Sequence, residues 1–399
     1  MSIKKCVNGS FVNDVYREYG TDTDTITSLP QTIIGDGQNI SAYTIKGNMS
    51  QSGTPTPSNP IYPTECGEKT ANLFNPNDST AQTAGCTYTV SNNAVTQSNT
   101  SAYSRTIWKI DNLTVGSKYT ISLDYTNNDA CSVQIRIMDN DNSGIIAATG
   151  TTTDTIGTLT LTFTAATTTH YIRLYSNTLN TSNNYSVVFN NIMLNNGETA
   201  MNFEPYGYKI PILSNGNTYP VYLAEPIRKI STYADSVPST GTASRVIGKY
   251  VFTGQESFLA DSERNSTIRI FTATQVISYT EDIAISSHFI KKTSAEITQG
   301  SDIGFALYNG RQIGFRVSTS LASTPEAFQA WLATQYANGT PVTVWYVLAT
   351  AQTESFTAPT LPTTGTAESF DVSTSLKPSE VSLTYHGWHE HEDTKYTTP

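Results

Sequence analysis

The sequence predicts a mainly β protein, an antiparallel, jelly-roll-like β-sandwich set within a β-rich scaffold that carries one amphipathic helix. Three observations predict it. Only 14% of the 399 residues are charged, 23 are tyrosine, and Thr, Ser and Asn abound, which is the composition of ordered β-structure and not of a disordered chain. Apolar or β-branched residues alternate over 104–110, 117–125, 131–138, 157–163, 169–175 and 185–194, with Asn, Asp, Gly and Thr collecting between the runs. A convincing helical period is found over about 324–337.

Residues 1–70 read as an N-terminal scaffold or attachment segment. Ile40, Tyr43 and Ile45 mark a short strand, and Pro55, Pro57 and Pro60 then forbid a helix and leave an extended connector or edge. Residues 71–206 hold the alternating runs and are assigned to the sandwich. Residues 207–399 form a C-terminal β-rich domain. In it Thr324 caps a helix, Pro325 takes the first turn and Glu326 complements the dipole. Phe328, Trp331, Leu332 and Tyr336 share one helix face, and Asn338-Gly339 ends the element. Strands are expected over 342–348 and 381–385, with Pro359, Pro362 and Pro378 keeping the intervening chain on the surface.

Charge and composition exclude several functions. A net charge of −10 argues against a surface that tracks phosphates, so nucleic acid is not an expected partner. No stretch reaches the roughly 18 apolar residues that span a bilayer, and the N-terminus lacks an apolar signal core. The chain is therefore expected to be soluble, without membrane insertion or general secretion. Cys6, Cys66, Cys86 and Cys131 form no C-x-x-C pair, so no zinc or redox motif is read and all four are expected as ordinary reduced thiols, although Cys66 and Cys86 could pair in an oxidising setting. Neither a Gly-x-Ser-x-Gly elbow nor a marked pair of catalytic carboxylates is present, and no enzyme is expected.

Two sets of motifs carry a resemblance. Asp111-Asn-Leu-Thr-Val-Gly-Ser-Lys-Tyr-Thr-Ile-Ser122, Asn191-Ile-Met-Leu-Asn-Asn-Gly-Glu-Thr-Ala200 and Phe203-Glu-Pro-Tyr206 resemble the sandwich of family 4/9-type carbohydrate-binding modules. Gly47-Asn-Met-Ser-Gln-Ser-Gly-Thr-Pro-Thr-Pro-Ser-Asn-Pro60, Asn72-Leu-Phe74, Glu204-Pro-Tyr-Gly-Tyr-Lys-Ile-Pro211, the segment 335–348 and Tyr385-His-Gly-Trp-His-Glu-His-Glu392 are similar to minor tail or baseplate proteins of phages and prophages of Gram-positive bacteria, especially Firmicutes. This resemblance implies a virion protein of the tail, made in the bacterial host cytoplasm. It would bind other tail or baseplate proteins and host cell-surface polysaccharide as a homo-oligomer, a trimer being favoured. It implies no catalytic residues and no cofactor. The flanks 1–70 and 207–399 would then pack together, with the sandwich inserted between them.

Site candidates follow from strand parity. Val133, Ile135 and Ile137 would point inward and leave Arg136 outward; Ile172 and Leu174 likewise turn Tyr171, Arg173 and Tyr175 outward. If the two strands share a sheet, these four form a glycan platform of stacking rings and hydrogen-bonding guanidiniums, or else a face that covers the sheet or meets a neighbouring subunit. Trp108 is a further candidate, with a core role as its alternative. Asp139 and Asp141 lie in an Asp-Asn-Asp-Asn cluster that suits a structural calcium or a simple turn. His389 and His391 would share a strand face and invite a metal, with a solvated tail as the alternative.

Overall fold

Along the strand Lys118–Asn127, alternation places Tyr119, Ile121, Leu123 and Tyr125 on one face, and all four are buried. The computed structural model describes residues 44–99, 101–129, 131–140, 144–178, 185–214 and 217–359, and outside them only strands within 1–43 and 360–399. The chain divides into two compact units. One is Lys69–Lys209 with Tyr222–Ala224; the other is Met1–Glu68, Ile210–Val221 and Glu225–Pro399.

The first unit is a sandwich of two five-stranded sheets. One runs in the order Cys86–Ser91, Ala94–Asn99, Tyr185–Asn196, Lys118–Asn127, Ile156–Thr164. The other runs Ile145–Ala148, Gln134–Met138, His170–Tyr175, Arg105–Ile110, Gln82–Ala84. Every pairing within them is antiparallel, and the chain switches repeatedly from one sheet to the other, as a jelly roll does. Ile121, Leu123, Val187 and Phe189 from the first sheet meet Trp108, Ile135, Ile137, Ile172 and Leu174 from the second in one core. Each such side chain contributes about 1.5–3 kcal/mol by leaving water. Asn92 and Asn93 both take left-handed φ in the two-residue turn between Cys86–Ser91 and Ala94–Asn99, the geometry a tight hairpin requires.

Asn72 ties the sandwich shut where the chain enters and leaves it. Its Nδ2 donates to the carbonyls of Ile192 (2.8 Å) and Glu204 (2.9 Å), and its Oδ1 accepts from the N–H groups of Phe74 and Leu194, each at 3.0 Å. All four hydrogen-bonding positions of the buried amide are thereby filled.

In the second unit, the strand Ile40–Lys46 pairs with Val381–Glu392 on one side and Ser236–Pro238 on the other, so segments from both ends of the chain share a sheet. Gly47 follows that strand and donates to the Asp235 carbonyl at 2.7 Å; a Cβ there would fall on the Arg228 carbonyl, so only glycine fits. A four-stranded sheet of Phe258–Arg264, Thr267–Thr272, Gln312–Ser318 and Gly304–Tyr308 shares its core with the helix Pro325–Ala337. Phe328 and Leu332 enter that core beside Phe252, Phe289 and Phe315, and Trp331 stacks on Phe328. Thr324 caps the helix by accepting from the Ala327 N–H, as expected. Tyr336, expected on the buried face, is half exposed, because the core ends one turn earlier. A second helix, Ser294–Gln299, was not expected; Thr293 and Glu296 bond each other's backbone N–H groups in a capping box at its start.

Candidate functional site

Sandwich residues that face away from the core on the sheet Gln134–Met138, His170–Tyr175, Arg105–Ile110 define the candidate site. Pairing sets them in rows. Arg105 and Gln134 flank Tyr175, Ile107 and Arg136 flank Arg173, and Lys109 and Met138 flank Tyr171. Arg136, Tyr171, Arg173 and Tyr175 thus share one face, as strand parity predicts, and their strands are neighbours.

This face is less open than parity alone indicates. Tyr175 is 3% exposed and Arg173 5%, whereas Arg105, Arg136 and Tyr171 are partly buried and Lys109 is exposed. The Tyr175 ring is covered by guanidiniums: the central carbon of Arg136 lies 4.4 Å from its centroid and that of Arg105 5.7 Å. Such cation–π contacts contribute roughly 0.5–2 kcal/mol each, more as water is excluded. Tyr175 therefore presents no free ring for a sugar; it serves as the floor on which the arginines lie.

Hydrogen bonds fix the guanidiniums. Arg136 Nε donates to Gln134 Oε1 at 2.6 Å, and Gln134 is held in turn by its own Nε2 donating to the Thr149 carbonyl at 2.7 Å. Arg105 Nη1 donates to the Tyr103 carbonyl at 3.0 Å, while its Nε is buried without a hydrogen-bond partner among the described residues. Tyr103 holds a left-handed φ of 56° and its side chain is exposed, an unusual backbone for a bulky residue. At the opposite end of the face Lys109 pairs with Asp111 at 2.9 Å, and this hydrogen bond holds the ammonium above its usual range.

Arg105, Lys109 and Tyr103 were missed in the sequence. Arg105 and Lys109 were legible in principle, since Ile107 separates them while Thr106, Trp108 and Ile110 take the other face. Trp108 requires a correction: it is 1% exposed and points into the core, edge-on to Phe74 (5.1 Å) and Tyr88 (5.7 Å), so it is not part of the face. Parity with buried Ile110 is the physical reason.

The other candidates fall wholly or partly outside the described residues. Asp139 is exposed and its N–H donates to the Gly144 carbonyl at 2.7 Å between the paired strands Gln134–Met138 and Ile145–Ala148; Asp141 lies outside the described residues. His389 and His391 fall in the strand Val381–Glu392, but their side chains lie outside the described residues. Among the described residues no group of three or more His, Cys, Asp or Glu is placed to hold a metal. Cys66, Cys86 and Cys131 are reduced, with no disulfide between Cys66 and Cys86; Cys86 Sγ donates to the Arg105 carbonyl at 3.2 Å. Cys6 lies outside the described residues.

Fold and face together define a jelly-roll sandwich with an arginine- and tyrosine-lined sheet face. No protein-family model and no curated protein matches the chain. Among solved structures, it is similar to a CBM4 at 17% identity, over 31% of this chain and 81% of that one, with a TM-score of 0.24. It is also similar to the tripod (BppUct-A-L) from the baseplate of bacteriophage Tuc2009 at 13% identity, over 69% of this chain and 97% of that one, with a TM-score of 0.23. No helix among the described residues is long and apolar enough to cross a membrane.

Proposed function

We propose that this chain is a structural component of a phage tail or baseplate whose sandwich binds glycan on the host surface. The observation that carries the glycan reading is the face built by Arg105, Arg136, Tyr171 and Arg173, where guanidiniums fixed by Gln134 and Tyr175 lie beside a partly exposed tyrosine. Prearranged donors of this kind bind hydroxyls and oxyanions without first losing side-chain entropy. The tail assignment is supported by the motifs from Gly47 to Pro60, at 335–348 and at 385–392. In this reading the host is Gram-positive, and the protein works as a homo-oligomer, with a trimer preferred, among other baseplate proteins. Multiple copies convert weak sugar contacts into firm attachment. No catalytic role is assigned.

Burial of Tyr175 and Arg173 favours a second reading, a structural or decoration protein that binds no glycan. One experiment separates the two: binding of the full chain to whole host cells and to an array of purified cell-wall polysaccharides. Saturable binding to both supports the receptor-binding reading. Absence of binding to either, with particles assembling normally, supports the structural one.

A further inference from the structure

We infer that Tyr103 is the ring on which a sugar stacks, and that its ligand is a neutral hexopyranose chain with equatorial hydroxyls, of β-linked gluco or N-acetylgluco configuration. The inference rests on the glycan-binding reading above and names its contact residue and ligand class.

Backbone conformation singles Tyr103 out. Of the nine non-glycine residues with left-handed φ among those described, eight are Asn or Ser, whose short polar side chains suit that region. The ninth is Tyr103, at φ 56°. A bulky side chain held there stores strain that the surrounding structure must offset. Asparagine would hold the same backbone with less strain, so what tyrosine adds at this position is its ring. That ring is 47% exposed. Among the described residues its hydroxyl makes no hydrogen bond and the ring makes no aromatic or cation–π contact.

The loop that presents the ring is fixed from both sides. Buried Ser104 places its Oγ within hydrogen-bond distance of the Gly85 carbonyl (2.8 Å) and the Ser101 carbonyl (2.6 Å). Its own carbonyl accepts from the N–H groups of Ser176 (3.1 Å) and Asn177 (3.4 Å), and Asn177 Nδ2 donates to the Ser101 carbonyl at 3.4 Å. Gly85 follows the strand Gln82–Ala84, and Ser176 and Asn177 follow His170–Tyr175, the two neighbours of Arg105–Ile110 in the sheet. A ring carried on so constrained a loop loses little freedom when a ligand arrives.

The loop also adjoins the candidate face. Arg105, in the same row as Tyr175, anchors it by donating Nη1 to the Tyr103 carbonyl at 3.0 Å. Tyr175 itself is covered by Arg105 and Arg136, so at this end Tyr103 supplies the open aromatic surface that Tyr175 does not. An aromatic face attracts the positive edges of C–H bonds. A pyranose with its hydroxyls equatorial turns C–H bonds to both of its faces, whereas an axial hydroxyl interrupts one.

The test titrates cellohexaose and N-acetylchitohexaose into the full chain and into its Tyr103→Trp and Tyr103→Asn variants. At least one oligosaccharide should bind the unaltered chain. Tyr103→Trp should hold that affinity within about threefold, and Tyr103→Asn should weaken it by about tenfold or more. The Tm of Tyr103→Asn should stay the same or rise by about 2–5 °C as the strain is relieved, an outcome that a tyrosine with a merely structural role would not give. Binding by Tyr103→Asn within about threefold of the unaltered chain overturns the inference. So does a fall in its Tm of more than about 3 °C, which would make the ring a packing group. Binding of neither oligosaccharide, with host cells still bound by the unaltered chain, overturns the inference and leaves the glycan reading standing. Binding of neither oligosaccharide and of no host cells overturns both.

Discussion

Replacing Asn72 with alanine removes four hydrogen bonds at once, two donated to the Ile192 and Glu204 carbonyls and two accepted from Phe74 and Leu194. Each contributes about 0.5–1.5 kcal/mol net, and their partners are then left unpaired at a buried site, which costs more. The expected loss is about 3–5 kcal/mol, a large part of the stability of an ordinary domain. For a unit the size of Lys69–Lys209, this lowers Tm by about 10–15 °C. Scanning calorimetry of the full chain reads this directly as a shift of the sandwich transition. Asn77→Ala, on an exposed neighbour, is the control and should change stability by less than about 0.5 kcal/mol. Asn72→Asp keeps the shape but turns a carboxylate toward two carbonyls, so it should be worse than alanine at pH 7 and partly recover in acid. A fall of under about 3 °C for Asn72→Ala would refute the view that this amide closes the sandwich.

Gly47→Ala should cost about 2–3 kcal/mol, because its Cβ meets backbone at Arg228 and not a side chain that can turn away; an unchanged Tm contradicts this. His288 is buried with its ring edge-on to Tyr62 and Trp331, and burial pushes its pKa from 6.5 down to about 4. Between those values the unfolded chain binds the proton more readily. Stability from the neutral ring is thus complete above pH 6.5 and is lost as pH falls toward 4, by roughly 2–3 kcal/mol. His288→Gln should flatten that part of the pH profile, and an unaltered slope would argue against it. Cys131, buried against Asn127 and pushed up to about 12, should resist alkylation at pH 8 in the native protein and react on unfolding; rapid native labelling would count against its placement.

Where one face of a strand is buried, the two-residue period was legible, as in Val133, Ile135 and Ile137, all fully buried in Gln134–Met138 and the residue before it. Strand Ala94–Asn99 escaped notice because a polar residue occupies an inward position, whereas its partner Cys86–Ser91 alternates cleanly, with Tyr88 and Val90 packed against the core. That polar residue, Gln97, is fully buried and donates to the Leu174 carbonyl at 3.1 Å. The signals for this hairpin were the alternation of Cys86–Ser91 and the turn Asn92-Asn93. Likewise the helix Pro325–Ala337 declared itself by period and cap, whereas Ser294–Gln299 is too short for a period and shows only Thr293 and Glu296.

Parity also oriented Arg136, Tyr171, Arg173 and Tyr175. It could not reveal that Arg105 joins them, because that depends on which strand lies beside His170–Tyr175. Nor could it reveal that two guanidiniums lie over Tyr175, since the path of a long side chain is set by tertiary neighbours such as Gln134 and Tyr103.

Isothermal titration of cell-wall polysaccharide from a bound host into the full chain and into its Arg136→Ala/Tyr171→Ala variant tests the central claim most directly. The account predicts binding at least about tenfold weaker in the variant, with its Tm within a few degrees of the unaltered chain. Equal affinity in the two proteins would place any glycan site elsewhere and contradict it.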